Sequence, residues 1–222
     1  MLKFSSRCLF CDNHCSLKIG ICKQCENNLP YFNNDNTKLQ KNTIKSVFNY
    51  QWPINHLITD LKFNRKIINA QFLGAIMVQR LQTTIKPNVL LPVPLHRSRL
   101  RQRGFNQALE ICRPIQQYFT IPLLKHHVIR KKATKAQTGL NAEQRIKNLQ
   151  YAFFIKKPIP YQHILVIDDV LTTGSTIQAL TNTLMEQSTI KSVQVWTAAK
   201  AGMSKIQKYP ELSLDMLKKP LN

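Results

Sequence analysis

The stretch Ile164-Leu165-Val166-Ile167-Asp168-Asp169-Val170-Leu171-Thr172-Thr173-Gly174-Ser175-Thr176 decides how the rest of the chain is read. Its first four residues are a short, fully apolar run, the pattern of a strand covered on both faces. Residues 175–186 follow with helical spacing, so the order is strand, loop, helix. Two carboxylates stand together at the end of the apolar run, in a chain with only six Asp. An unpartnered charge beside a buried strand is costly, so the pair implies a use. Hydroxyls and a glycine come next, where the loop enters the helix. Backbone N–H groups, side-chain donors and the positive helix end there suit a phosphate. The stretch has no Gly-x4-Gly-Lys and is not a Walker loop. Carboxylates beside a phosphate cradle fit a ligand with vicinal hydroxyls next to a 5′-phosphate. An ordinary strand-to-helix loop capped by Thr or Ser would explain the hydroxyls but not the two acids.

Outward from this stretch, strand-like and helical segments alternate. Residues 43–50 read as a strand and 53–63 as a helix, with Ile54, Leu57, Ile58 and Leu61 on one face. Residues 67–81 read as a second helix and 89–95 as an apolar strand closed by prolines. Segment 105–119 places Phe105, Ala108, Leu109, Cys112 and Ile115 on one helical face, which makes Cys112 a core residue. Pro114 is expected to kink that helix or end it early. Residues 190–199 form a further strand, with Val193 and Val195 alternating. Strands separated by helices predict an α/β fold with a mostly parallel sheet flanked by helices, and a ligand at the carboxyl ends of the strands. The expected division is a small module at 1–36, the α/β domain at 37–200, and a tail of unassigned structure at 201–222.

The N-terminal module declares itself by cysteine. Cys8/Cys11 and Cys22/Cys25 form two CxxC pairs separated by ten residues. Each CxxC turns its sulfurs toward one point, and two such turns build the four-thiolate cage that zinc prefers. His14 and Cys15 are alternative ligands within that cage, or Cys15 is a bystander. The segment has too few apolar residues for a core of its own, so a structural zinc is expected at Cys8, Cys11, Cys22 and Cys25.

Of 222 residues, 32 are Lys or Arg and 11 are Asp or Glu, a net charge of +21. Solubility alone needs only about 2–8 charges in a small domain, so a polyanionic partner is expected. The first 36 residues carry +1, which leaves +20 on the remainder. Arg97, Arg99, Arg101 and Arg103 fall at alternate positions, and in an extended loop all four would point the same way. They read as a pyrophosphate clamp, a nucleic-acid track, or both. A second basic stretch, residues 125–135 with Arg130, Lys131 and Lys132, reads as a mobile loop able to close over the site. His126 and His127 within it read as surface residues. No run reaches the ~18 apolar residues of a membrane span. The N-terminus has no hydrophobic stretch of signal-peptide length, and a cytoplasmic address is expected.

Residues 166–176 resemble the phosphoribosyl pyrophosphate (PRPP) motif of type I phosphoribosyltransferases. Residues 91–107, the double CxxC followed by Leu29-Pro30, and Arg130, Thr134, Gln137, Leu140 and Arg145 resemble the ComF/GntX family more narrowly. The resemblance covers about residues 8–200. It implies a phosphoribosyltransferase-like domain carrying a zinc-binding N-terminus. It also implies a role in natural competence, in which imported single-stranded DNA reaches the cytoplasm, with other DNA-uptake proteins at the inner membrane as partners. Carried over, Asp168 and Asp169 would hold the ribose hydroxyls and, through water, Mg²⁺. Thr172, Thr173, Gly174, Ser175 and Thr176 would cradle the 5′-phosphate, and the arginines after Leu95 would meet the pyrophosphate. Some members of the wider fold have an Asp at position 172 as proton carrier for a purine; Thr172 cannot serve as that base, which disfavours purine salvage. Three functions stay open: a phosphoribosyltransferase with an unidentified acceptor, a single-stranded DNA platform, or a PRPP sensor without turnover. For the platform, Phe105, Tyr118, Phe119, Tyr151, Phe153 and Phe154 are the candidate stacking residues, although most of them read as core. The reading adopted is a PRPP-binding, zinc-containing competence protein.

Overall fold

The computed structural model describes residues 6–15, 19–32, 37–39, 42–131 and 152–202. Five strands form one sheet in the order β1-β2-β7-β6-β3: β1 (Thr37–Leu39), β2 (Asn42–Asn49), β7 (Ser192–Lys200), β6 (His163–Leu171) and β3 (Val89–Pro92). All neighbours run parallel except β1, which is antiparallel to β2. A short antiparallel ribbon pairs β4 (Val128–Arg130) with β5 (Phe153–Ile155). The helices are α1 (Lys23–Asn27), α2 (Ile54–Phe63), α3 (Ile67–Arg80), α4 (Arg97–Arg103), α5 (Gln107–Phe119) and α6 (Ser175–Met185).

The apolar run of β6 is explained by burial on both faces. Leu165 and Ile167 face α2, α3 and α5, in a core shared with Ile58, Leu61, Phe72, Leu73, Ile111 and Trp196. Ile164 and Val166 face the other way, toward Val89, Leu91 and Val195 and toward Ile177, Leu180 and Leu184 of α6. A period of two divides the strand between the two cores. The sheet interior is polar at Ser46 and Thr197, whose hydroxyls pair at 2.7 Å between β2 and β7.

Four expectations change in the structure. The apolar strand does not stop at Ile167: β6 is nine residues long and carries Asp168 and Asp169 within it. β3 ends at Pro92, opposite Ile167, but β7 continues beside β6 as far as Lys200, so pairing holds the acids in extended backbone. The four arginines are not on an extended loop. Arg97–Arg103 is helix α4, started by His96, whose Nδ1 accepts from the Ser98 N–H at 3.2 Å, and ended by Gly104 at φ +79°. Arg, Leu and Gln are good helix formers, and nothing breaks the segment before the glycine. The alternate arginines therefore scatter around the helix. Pro114 does not shorten α5, which begins two residues later than expected, at Gln107, with the Asn106 side chain accepting from the Ala108 N–H. Its buried face is Ala108, Ile111, Cys112 and Ile115, while Leu109 is only half-buried. The second basic stretch is in part a strand, since Val128–Arg130 is β4. Lys132, Thr134, Gln137, Leu140, Arg145 and Tyr151 lie outside the described residues, as does the tail beyond Gly202.

Pro114 is accommodated by a glycine on the facing helix. A Cβ on Gly74 of α3 would lie 2.3 Å from Pro114 Cγ and 2.4 Å from the Ile111 carbonyl oxygen. The two helices touch backbone to ring, with no room for a methyl group. Gly74→Ala should therefore destabilise the protein by about 1–3 kcal/mol through overpacking, measured by urea denaturation, even though alanine is the better helix former.

Candidate functional site

The carboxyl ends of β6, β3 and β7 form a polar rim, and the Asp pair occupies its centre. Asp169 is 4% exposed and is not left alone there. The Lys62 ammonium, from the last turn of α2, forms an ion pair with its carboxylate. Burial alone would raise the Asp169 carboxyl, but the Lys62 charge and hydrogen bond carry it below the usual range. Asp168 is pushed well above that range, first by burial and then by the neighbouring Asp169 charge. Its Oδ1 accepts from the Asp169 backbone N–H at 2.9 Å. The two acids are thus unequal: Asp169 is ion-paired with a lowered pKa, and Asp168 beside it has a raised one.

The loop after β6 presents Thr172 and Thr173 to solvent. Gly174 takes φ +77°, a left-handed turn that admits glycine most readily, and α6 starts at Ser175. The Thr173 and Ser175 hydroxyls are 2.8 Å apart. The first-turn N–H groups of α6 and these hydroxyls form a donor cluster beside the acids.

Cations close the rim from two sides. Arg103, at the end of α4, is half-buried with its guanidinium 5.4 Å from the Phe63 ring centroid. Burial lowers its pKa, while the nearby Asp169 and Asp168 charges oppose that shift. Arg65 packs against the backbone of Gly104, where a Cβ would come within 2.6 Å of its guanidinium. Arg130 is buried at 7% exposure, 5.5 Å from the Phe153 ring, and senses both Arg99 and Asp168. Arg103 and Arg130 therefore gather near the acids, with the exposed Arg99 beside them, and Arg97 and Arg101 are exposed as well. Lys131 turns elsewhere, to the Phe154 ring at 4.0 Å. Sequence reading missed Lys62 and Arg65, which look like ordinary charges at the end of an amphipathic helix. Nothing local marks either as a partner of residues far along the chain.

In the N-terminal module the sulfurs of Cys8, Cys11, Cys22 and Cys25 all lie within 4.8 Å of one another. Cys11 and Cys22 are separated by 3.7 Å. A tetrahedral zinc with sulfur at about 2.3 Å requires edges of about 3.8 Å, so the cage fits that ion. Backbone N–H groups of Phe10 and Cys25 point at Cys8 and Cys22 sulfurs, each at 3.5 Å. Burial pushes the Cys8 thiol up, but such donors outweigh it and bring it to about 7. Cys15 is buried outside the cage and His14 is exposed. The module is pressed onto α3: Phe10 meets Phe72 edge to face at 5.5 Å. The buried Glu26 receives Arg80 at 2.8 Å, and Arg80 also covers the Tyr31 ring.

Lys62→Met should cost about 3 kcal/mol at neutral pH, because it strands a buried carboxylate. In the wild type Asp169 has a lowered pKa, so the stabilisation from this pair is full above pH ~4 and is lost as pH falls through the folded value. The variant's acid titrates the opposite way, so the gap should close on acidification, as read by denaturation curves at several pH values. For the cysteine cage, elemental analysis should find one zinc per chain. Cys22→Ser or chelation should open residues 1–30 to proteases and also lower the melting temperature of the whole chain, because Phe72 loses its cover.

No family profile matches the chain. Competence protein F of Haemophilus influenzae is 30% identical over 226 residues, covering 89% of this chain and 98% of that protein. The DNA utilization protein YhgH of Escherichia coli is 33% identical over 157 residues, 68% of this chain and 69% of its own length. The competence protein ComFC of Streptococcus pneumoniae is 25% identical over 154 residues, 69% of this chain and 66% of that protein. Among solved structures, adenine phosphoribosyltransferase of Leishmania donovani superposes only loosely, at 14% identity and a TM-score of 0.37 over 86% of this chain and all of that one. Coverage of nearly the whole Haemophilus protein at 30% identity shows that the chain belongs to the ComF/GntX family, that of Competence protein F.

Proposed function

We propose that the protein binds PRPP at the carboxyl edge of its sheet and serves natural transformation, in the handling of incoming single-stranded DNA. The observation that carries this reading is the juxtaposition of an Asp pair, a hydroxyl-and-glycine loop at a helix start, and a rim of buried or half-buried cations. Asp168 and Asp169 accept from the ribose hydroxyls. Thr172, Thr173, Ser175, Thr176 and the first N–H groups of α6 donate to the 5′-phosphate. Arg103, Arg99 and Lys62 face the pyrophosphate. Mg²⁺ accompanying the diphosphate would be held by the two acids and would supply charge neutralisation. A structural zinc in the cysteine cage completes the cofactors. The division into a zinc module at 1–36 and a PRPP-binding domain at 37–200 belongs to the same reading. The net charge of +21 supports a polyanionic partner, and the names of the relatives support a place in DNA uptake. Thr172 offers no general base to take a proton from an acceptor, so the arrangement favours binding, with transfer limited to an acceptor whose nucleophile is already deprotonated. No helix among the described residues is long and apolar enough to cross a membrane.

The deciding experiment is calorimetry with PRPP and Mg²⁺ on the wild type and on Asp168→Asn/Asp169→Asn. Each charge-assisted hydrogen bond removed is worth about 1.5–3 kcal/mol, so affinity should fall at least a hundredfold. Thr173→Ala/Ser175→Ala, which leaves the Lys62 pair intact, should also weaken binding and guards against a folding artefact. A cell carrying the double Asn variant should lose transformation. Unchanged PRPP binding in both folded variants would refute the site.

A further inference from the structure

On the far side of α6 from the main core lies a groove of about 720 Å³ that meets the PRPP site only at Ser175. One wall is the helix face with Ser175, Gln178, Asn182 and Glu186, spaced three or four residues apart. The other is β5 and the turn after it, with Phe154, Lys156 and Lys157. Strand alternation places the neighbouring Phe153 inward at 4% exposure and turns Phe154 outward, at 47%. The Lys131 ammonium stands 4.0 Å from the Phe154 ring centroid. The lining is therefore basic at Lys156 and Lys157, with Lys131 beside it, against the single acid Glu186. Gln178 and Asn182 amides, joined at 2.7 Å, offer both donors and acceptors to the edge of a base.

We infer that this groove seats single-stranded nucleic acid, with Phe154 as the ring on which a base stacks and Lys131, Lys156 and Lys157 as the cations that meet its phosphates. The inference rests on the reading that the protein handles single-stranded DNA, and it names where the strand lies. An exposed ring with adjacent cations suits an unstacked base, whereas a duplex hides its base faces. The exposed arginines of α4 supply charge as well, but their nearest exposed ring, Phe63, lies under Arg103 at the edge of the PRPP site. A strand there would compete with PRPP. A strand lying between β5 and the Gln178–Asn182 part of α6 stays clear of Ser175 and leaves the acids free.

The test is fluorescence anisotropy of a labelled 20-nucleotide oligo(dT) with the full-length protein across a salt series. Phe154→Ala should weaken binding roughly tenfold without changing the salt slope, and Phe154→Trp should restore it. Lys156→Gln/Lys157→Gln should reduce the slope by about 1.4, or about 0.7 for each phosphate no longer neutralised. Saturating PRPP should leave oligo(dT) affinity unchanged, and all three variants should bind PRPP as the wild type does, which shows them folded. Wild-type affinity in both Phe154→Ala and Lys156→Gln/Lys157→Gln would overturn the groove and return the track to α4. A blunt duplex competing as well as oligo(dT) would overturn the single-strand assignment. Absence of oligo(dT) binding by the wild type would instead remove the DNA-handling reading on which the groove depends.

Discussion

A carboxylate in the middle of a parallel sheet has to be matched by a cation brought from elsewhere in the chain, and here that cation is Lys62. The Lys62–Asp169 pair joins the end of α2 to the carboxyl edge of β6. With Asp169 held ionised in this way, Asp168 beside it faces burial and a like charge, and its pKa rises. The site therefore holds two neighbouring acids in different states. Half-buried Arg103 and buried Arg130 add positive potential around them. The cations around the rim outnumber the two acids, which leaves it with a positive surplus.

The cysteine module is not an independent appendage in its packing. Cys8, Cys15, Ile21 and Leu29 share one core with α2, α3 and the sheet. Phe10 caps Phe72, and Glu26 is anchored by Arg80. The same helix that receives the module on one side meets α5 through Gly74 and Pro114 on another. A metal held in the cage would act on the α/β core through α3 as well as on its own loops, since close-packed interiors transmit small displacements.

The basic surplus is divided by the fold into groups with different surroundings. Arg103 and Arg130 are withdrawn from solvent and belong to the rim around the acids. Arg97 and Arg101 are solvated on α4. Lys131, Lys156 and Lys157 gather near Phe154, where charge and an exposed ring occur together. Net charge alone draws polyanions without selecting among them; selection comes from what stands beside each cation.

Features whose cause is local can be read from the chain alone. The apolar run at 164–167, the helical periods of 53–63, 67–81 and 175–186, and the two CxxC pairs each report a period or a turn chemistry set by near neighbours. From them the α/β fold, the parallel sheet, the thiolate cage and the loop after β6 were legible. The helical state of Arg97–Arg103 was also local, written in its helix formers and in the stop at Gly104, but the alternation of arginines read as an extended loop instead. Which distant side chains meet was settled by the three-dimensional fold: Lys62 with Asp169, Glu26 with Arg80, Arg103 with Phe63. So was the run of β6 through the acids, because that depends on how far β7 continues beside it. Charge pairing between residues remote in the chain leaves no periodicity in it. It comes into being when the sheet order brings those positions together.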